Sequence, residues 1–114
     1  MIVKKLDEVP RGAMPGYENI SKQVVLGPAD GSDEIILRYF SLEPGMSTPH
    51  HAHDFPHLVK IEVGQGVLVN EQGEETPVTA GSYAYINSNE VHHFTNTGAG
   101  LFDFICIVPR RGEA

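Results

Sequence analysis

Turn-forming residues interrupt this sequence at short, regular intervals. Glycine, proline and asparagine mark turns along the chain, for example at Gly27-Pro28, Pro44-Gly45 and Asn87-Ser88-Asn89. The segments between these turns are short and rich in Val, Ile, Tyr, Phe and Thr, as in EIILRYFSL, LVKIEV, GVLVNE, SYAYIN, HHFTN and LFDFICIV. None of them has the length and the 3.6-residue apolar period of a helix. The pattern predicts an all-β fold, a small antiparallel barrel or sandwich with negligible helix.

Length and charge narrow the class of protein further. A chain of 114 residues is expected to form a single domain over residues 1–114. Its formal net charge of −7 makes nucleic acid and anionic membranes poor partners. The single cysteine excludes an internal disulfide, and the first residues lack the apolar core of a signal peptide. We therefore expect a cytoplasmic protein without a membrane span.

Two clusters, HHAHDFPH and EVHHF, contain all six histidines. Because side chains in a strand alternate between faces, His51 and His53 share one face, and His50 lies on the other. The tripeptide DFP then predicts a turn. A strand is expected to begin again at His57.

His57 opens the segment HLVKIEV, whose two faces differ in polarity. One face carries Val59, Ile61 and Val63, and the other, which is more polar, carries Leu58, Lys60 and Glu62. The apolar face is expected to point into the barrel, because burying it removes apolar surface from water. His57 lies on that face and is predicted to point inward with it.

The same alternation shows which histidines of the second cluster share a face. In HHFTN, His92 shares a face with Phe94, and His93 lies on the opposite face. The face with Phe94 is predicted to be the inner one, so that His50 and His93 are excluded from the interior. Four histidines are predicted to point inward, namely His51, His53, His57 and His92.

Four inward imidazoles require partners, because each ring has a donor and an acceptor that are costly to bury unpaired. A single histidine of this kind is usually a surface residue or a hydrogen-bonded core residue. An i, i+2 pair with a third histidine just past a turn is instead the kind of cluster that binds a divalent cation. The sequence therefore predicts one metal site.

The two clusters also resemble the two sequence motifs of the cupin superfamily. Residues 45–64 have the spacing G-x5-H-x-H-x3-E-x6-G, with His57 in the glutamate position. Residues 81–96 have the spacing G-x5-P-x-G-x2-H-x3-N, with Asn87 and Asn89 in the proline and glycine positions. The pattern is similar to that of small single-domain bacterial cupins with four-histidine sites, known as manganese-containing proteins in thermophiles. The resemblance implies a jelly-roll barrel, and the same four histidines as ligands.

Position 57 carries histidine where the usual cupin motif carries glutamate, and this difference affects which metal is bound. It removes an anionic ligand, which weakens the advantage of oxygen-preferring metals and favours those that prefer imidazole. Manganese and iron remain the first candidates for this site, with zinc, nickel and copper as alternatives.

Two classes of function are compatible with such a site. Four protein ligands on a six-coordinate metal leave two positions open, which suits a dioxygenase-like oxygenase, or a related lyase or isomerase, acting on a small organic substrate. The alternative is a non-catalytic cupin that binds a small ligand or metal.

Arg38 and Cys106 are the candidate catalytic residues, because both could face the barrel interior. Arg38 alternates with Ile36 and Phe40, and an inward arginine beside an open metal would suit a carboxylate or enolate substrate. Cys106 shares a face of the last strand with Phe102 and two other apolar residues. A cysteine there is either a buried apolar residue or an oxidation site near the metal.

Assembly is predicted from the start of the chain. The segment MIVKKL is apolar and β-prone, and an isolated edge strand of this kind associates unless it is paired. We expect a homodimer, formed by packing of sheets or by exchange of N-terminal strands.

Overall fold

The computed structural model describes residues 1–14 and 16–113. Nine strands make up half of this part of the chain, and its only helices are three short 3-10 helices. The strands are β1 (Gly12–Met14), β2 (Tyr17–Leu26), β3 (Ile35–Leu42), β4 (His57–Val63), β5 (Gln65–Asn70), β6 (Glu75–Thr79), β7 (Tyr83–Ile86), β8 (His92–Asn96) and β9 (Phe102–Pro109). The 3-10 helices are Leu6–Glu8, Pro28–Asp30 and Arg110–Glu113.

The strands form two antiparallel sheets. The larger sheet has the order β1-β2-β3-β9-β4-β7, and the smaller has the order β6-β5-β8. The predicted all-β jelly-roll fold is thus confirmed. Across the described ranges, no helix is long and apolar enough to cross a membrane.

The loop after β3 joins the two sheets on one side of the barrel. Its backbone runs antiparallel to β8, where Thr48 N–H donates to the Phe94 carbonyl at 2.9 Å. Asn96, at the end of β8, is buried, and its amide donates to the carbonyl oxygens of Leu42 and Gly100 at 2.9 and 2.8 Å. These bonds hold the first histidine cluster against the strand that carries the second.

Aromatic residues form the centre of the core. The Phe94 and Phe104 rings stack with centroids 4.2 Å apart, and Phe40 stacks on the other side of Phe104 at 5.3 Å. The predicted inner face of β9 is confirmed, since Phe102, Phe104, Cys106 and Val108 are all at most 3% exposed. This aromatic layer closes the barrel below the histidines.

The structure corrects two details of the sequence interpretation. MIVKKL was expected to be an edge strand, but it contains no strand, and Leu6 begins a 3-10 helix. Val63 was placed on the inner face, but it is 45% exposed. The pairing of β4 with β9 shifts register between Ile61 and Val63, and this bulge interrupts the alternation of faces.

Candidate metal centre

Backbone pairing brings the two histidine clusters together. His51 and His92 form an isolated antiparallel bridge, in which each N–H donates to the other's carbonyl, at 3.2 and 3.1 Å. His57 starts β4 and pairs with Ile86 of β7. His53 lies between, in the bend that leads from the His51 bridge to β4. The histidines were expected to be in strands, whereas His53 lies in a loop.

The four predicted histidines converge inside the barrel. Ring centroids of His51 and His53 are 4.3 Å apart. The ring centroid of His57 lies 5.2 Å from that of His53 and 5.2 Å from that of His92. The structure therefore brings together the four imidazoles that strand parity selected.

The two remaining histidines lie elsewhere. His50 and His93 do not line the cavity that the other four share. They contact each other on the exposed side, with their Nδ1 atoms 2.6 Å apart. This position agrees with their exclusion from the predicted site.

The histidines line a cavity of about 300 Å³. Its floor is the aromatic layer formed by Phe40, Phe94 and Phe104. Its rim comes from the segment of β1 and from Thr48 and Pro49. The cavity can therefore accept a small organic molecule beside the imidazoles.

Hydrogen bonding prepares at least one ring to act as a ligand. The Nδ1 atom of His92 lies 2.8 Å from the Glu90 carbonyl oxygen, which can only accept. Nδ1 must therefore carry the proton, and Nε2 of the neutral ring keeps a free lone pair. The Nδ1 atom of His57 is buried and has no hydrogen-bond partner among the described residues. Such an orphaned nitrogen is costly unless another group binds it.

Burial favours the neutral form of three of the inner histidines by lowering the pKa of each. The pKa of His57 is lowered to about 3, first by desolvation and then by the neighbouring His92 and Arg38. The pKa values of His51 and His53 are also lowered, first by desolvation and then by nearby histidines. A neutral imidazole is the form that binds metal, so these rings need not lose a proton at neutral pH.

The residues fit a divalent metal by donor chemistry and position, although their side chains are not yet oriented around one point. In the conformations of residues 1–14 and 16–113, no group of three or more His, Cys, Asp or Glu side chains is arranged to hold an ion. Binding therefore requires rotation of the imidazole rings about their side-chain torsions.

Arg38 and Cys106 both line the same cavity. Nη2 of Arg38 lies 3.1 Å from Cys106 Sγ, and its guanidinium lies 5.1 Å from the Phe40 ring centroid. Burial raises the pKa of Cys106, although Arg38 opposes the shift. The thiol therefore stays protonated at neutral pH, where it is a weak nucleophile.

Sequence reasoning missed two charged residues at this cavity. Lys22 of β2 lines it, and Glu113 of the last 3-10 helix contacts both Lys22 and Arg38. Alternation from the buried Ile20 would have placed Lys22 on the inner face. No sequence signal links Glu113 to β2 or β3, because its contacts depend on the path of the chain after β9.

Comparison with known proteins identifies the family. The Cupin_2 model, described as a cupin domain, matches residues 38–108, more than half of the chain. The chain is 31% identical over 68 residues to an oxalate-binding protein of Thermotoga maritima, covering 59% of this chain and 55% of that protein. It is 27% identical over 118 aligned positions to auxin-binding protein 1 of Arabidopsis thaliana, covering 96% of this chain and 59% of that protein. The chain thus spans less than two thirds of the length of these two relatives.

Among solved structures, the polyketide cyclase RemF from Streptomyces resistomycificus has a closely similar fold. The TM-score is 0.88 at 26% identity, and the alignment covers 96% of this chain and 80% of RemF. The fold, the two motifs and the family match lead to the same assignment. This chain belongs to the cupin family.

Proposed function

We propose that this cupin binds one divalent transition metal through His51, His53, His57 and His92, and acts as an oxygenase on a small organic substrate. The observation that carries the proposal is the convergence of four imidazoles on one cavity, where those of His57 and His92 are buried. Manganese and iron are the first candidates, with zinc, nickel and copper as alternatives. When bound, the metal would supply a Lewis acid and a redox centre with open coordination positions.

The chain's own residues would bind and orient the substrate. Phe40, Phe94 and Phe104 would contact its apolar part and exclude water from the floor of the cavity. The guanidinium of Arg38 would face a negatively charged group of the substrate. Glu90 would fix the orientation of the His92 ring through its backbone carbonyl. Lyase or isomerase chemistry would use the same arrangement.

The second candidate is a non-catalytic module that binds a small molecule or metal. Two relatives favour it, because one is an oxalate-binding protein and the other an auxin-binding protein. The described residues that line the cavity also include no carboxylic acid that could act as a general base. In this case the cavity would select a ligand without converting it.

Metal content and oxygen uptake distinguish the two candidates. We expect protein purified without added metals to contain about one first-row metal ion per chain by elemental analysis. Small organic acids would be added anaerobically to find ligands, and oxygen would then be admitted. An oxygenase consumes oxygen only with metal and substrate together. Ligand binding without oxygen uptake would favour the binding module, and protein without affinity for any of the five metals would contradict the oxygenase.

We further propose that the protein is a homodimer formed by the outer face of the larger sheet. This face carries exposed apolar side chains, with Leu58 53%, Tyr83 75% and Tyr85 58% exposed. Together with Ile105 and Ile107 they surround an apolar groove. A second copy is the natural occupant, because an apolar sheet face related by a two-fold axis is complementary to itself.

The double variant Leu58→Lys/Tyr83→Lys is expected to be a monomer, because it places cations in an apolar interface. Light scattering should then give about 12.5 kDa, against twice that mass for the unchanged protein. Val3→Lys is the matched control, since Val3 is 85% exposed on the N-terminal segment. It should leave the dimer intact. Dissociation by Val3→Lys alone would indicate exchange of N-terminal segments instead.

A further inference from the structure

Arg38 is a buried cation in an apolar environment. Arg38 is only 8% exposed, and its guanidinium lies over the Phe40 ring. Nη2 contacts the neutral Cys106 thiol, and the buried Nε has no hydrogen-bond partner among the described residues. A buried guanidinium requires an anion, because taking it out of water is costly.

Glu113 supplies that anion from outside the barrel. Its Oε1 lies 3.2 Å from Arg38 Nη1, and its Oε2 lies 2.5 Å from Lys22 Nζ. Both cations line the cavity, whereas Glu113 does not. One carboxylate thus bridges the only two lysine or arginine side chains among the described cavity-lining residues.

The charge of the cavity contrasts with that of the whole chain. The formal net charge of the protein is −7, yet the described lining residues include Arg38 and Lys22 and no aspartate or glutamate. A cavity lined by cations and imidazoles selects anions, and its aromatic floor selects an apolar body.

The helix that carries Glu113 follows β9 and belongs to neither sheet, although Arg110 N–H donates to the Glu34 carbonyl at 3.0 Å. It is a four-residue 3-10 helix, Arg110–Glu113, whose hydrogen-bond geometry is poorer than that of an α-helix. Arg110 pairs with the exposed Asp33, and Arg111 reaches the Asp54 carbonyl only at 3.4 Å. Such a segment can withdraw its carboxylate without disrupting a sheet.

We propose that Arg38 and Lys22 form a carboxylate-binding subsite, and that Glu113 occupies it when no ligand is present. The ligand is a small aromatic or otherwise apolar carboxylate, whose carboxyl group replaces that of Glu113 while its body contacts the phenylalanine floor. The inference rests on the proposed function in taking the histidine-lined cavity as the ligand site. It deepens that function by naming the ligand class and an internal competitor.

Benzoate binding to the metal-free protein tests the subsite separately from the metal chemistry. Isothermal titration should detect benzoate and little binding of benzamide, which has the same ring without the charge. If Glu113 holds the subsite about nine-tenths of the time, Glu113→Gln should bind benzoate about tenfold more tightly. Glu71→Gln removes the same charge from an exposed loop and should change nothing.

Replacing either cation of the subsite should weaken benzoate binding. Lys22→Gln and Arg38→Gln are each expected to weaken benzoate binding about tenfold or more, because the charge-assisted contact is lost. Lys22 is only partly buried, so that its variant should fold even if the Arg38 variant does not. Lys60→Gln, on the outer face, is the control.

Equal affinities for benzoate and benzamide would overturn the proposal, as would equal benzoate affinity in the unchanged protein and Glu113→Gln. If the protein binds no metal and consumes no oxygen but still binds benzoate, the oxygenase proposal alone is refuted. Metal-dependent oxygen uptake without benzoate binding would refute the subsite alone.

Discussion

Replacing His92 with alanine is expected to lower the affinity for a divalent first-row metal by about 100-fold or more. Loss of a partner that merely orients a ligand typically costs 10–100-fold in metal affinity, and loss of the ligand itself should cost at least as much. His92 is buried, and its Nε2 is left free by the bond from Nδ1 to the Glu90 carbonyl. Competition titration against a chromophoric chelator measures the change.

His50→Ala is the matched control for this experiment. His50 adjoins His51 in sequence, but it contacts His93 outside the cavity. Its removal should therefore leave metal affinity nearly unchanged. A loss of affinity in His50→Ala together with unchanged affinity in His92→Ala would show that the metal binds between His50 and His93 instead, and that the four inner histidines serve another purpose.

Strand alternation was sufficient to assign the histidines of β4 and β8, because the inner face of each of these strands is more buried than the outer face. In β4 and β8, neighbours of known polarity fix which side is inner, so His57 and His92 could be assigned from Val59 and Phe94 alone. His51 lines the same cavity, although the residue is exposed and only an isolated bridge defines its strand. There the backbone is extended enough for the two-residue period to apply.

The strands that the sequence did not predict lie at sheet edges or carry polar residues. β6 contains Pro77, which is tolerated there because β6 pairs with β5 on one side only. β2 alternates poorly in polarity, since Gln23 is buried on the outer side, where its amide donates to the Leu6 and Val9 carbonyls. Periodicity cannot reveal a buried glutamine whose partners are backbone atoms of a distant segment.

Contacts made by the ends of the chain could not be predicted from the sequence either. Glu113 bonds to Lys22 across 91 positions of sequence, and to Arg38 across 75. Such pairs follow from the completed fold and have no local pattern. The motifs therefore predicted the histidines of the site, whereas the charged residues that would select its ligand became visible only in the structure.

His57 links the metal site to the stability of the fold. Its position, which carries glutamate in the usual cupin motif, is only 5% exposed. A glutamate there would be negatively charged beside Arg38, whereas histidine is neutral because its pKa is lowered to about 3. His57 therefore adds no charge to the site when no metal is bound, and burial makes it resist protonation.

The metal-free protein is therefore expected to lose stability as the pH falls below about 6.5. The unfolded chain takes up a proton at His57 near its ordinary pKa of 6.5, whereas the folded protein resists protonation until about pH 3. Because the unfolded state binds more protons in this interval, the free energy of unfolding falls with pH by up to about 1.4 kcal/mol per unit from this residue. Between pH 6.5 and 4.5 the loss should be about 2–3 kcal/mol, as measured by urea denaturation with a chelator present.

His57→Leu is the control variant. It cannot take up this proton, and its free energy of unfolding should fall less steeply over the same interval. An identical pH dependence in the two proteins would mean that His57 is readily protonated in the folded state, which would contradict a neutral histidine cluster prepared to receive a metal.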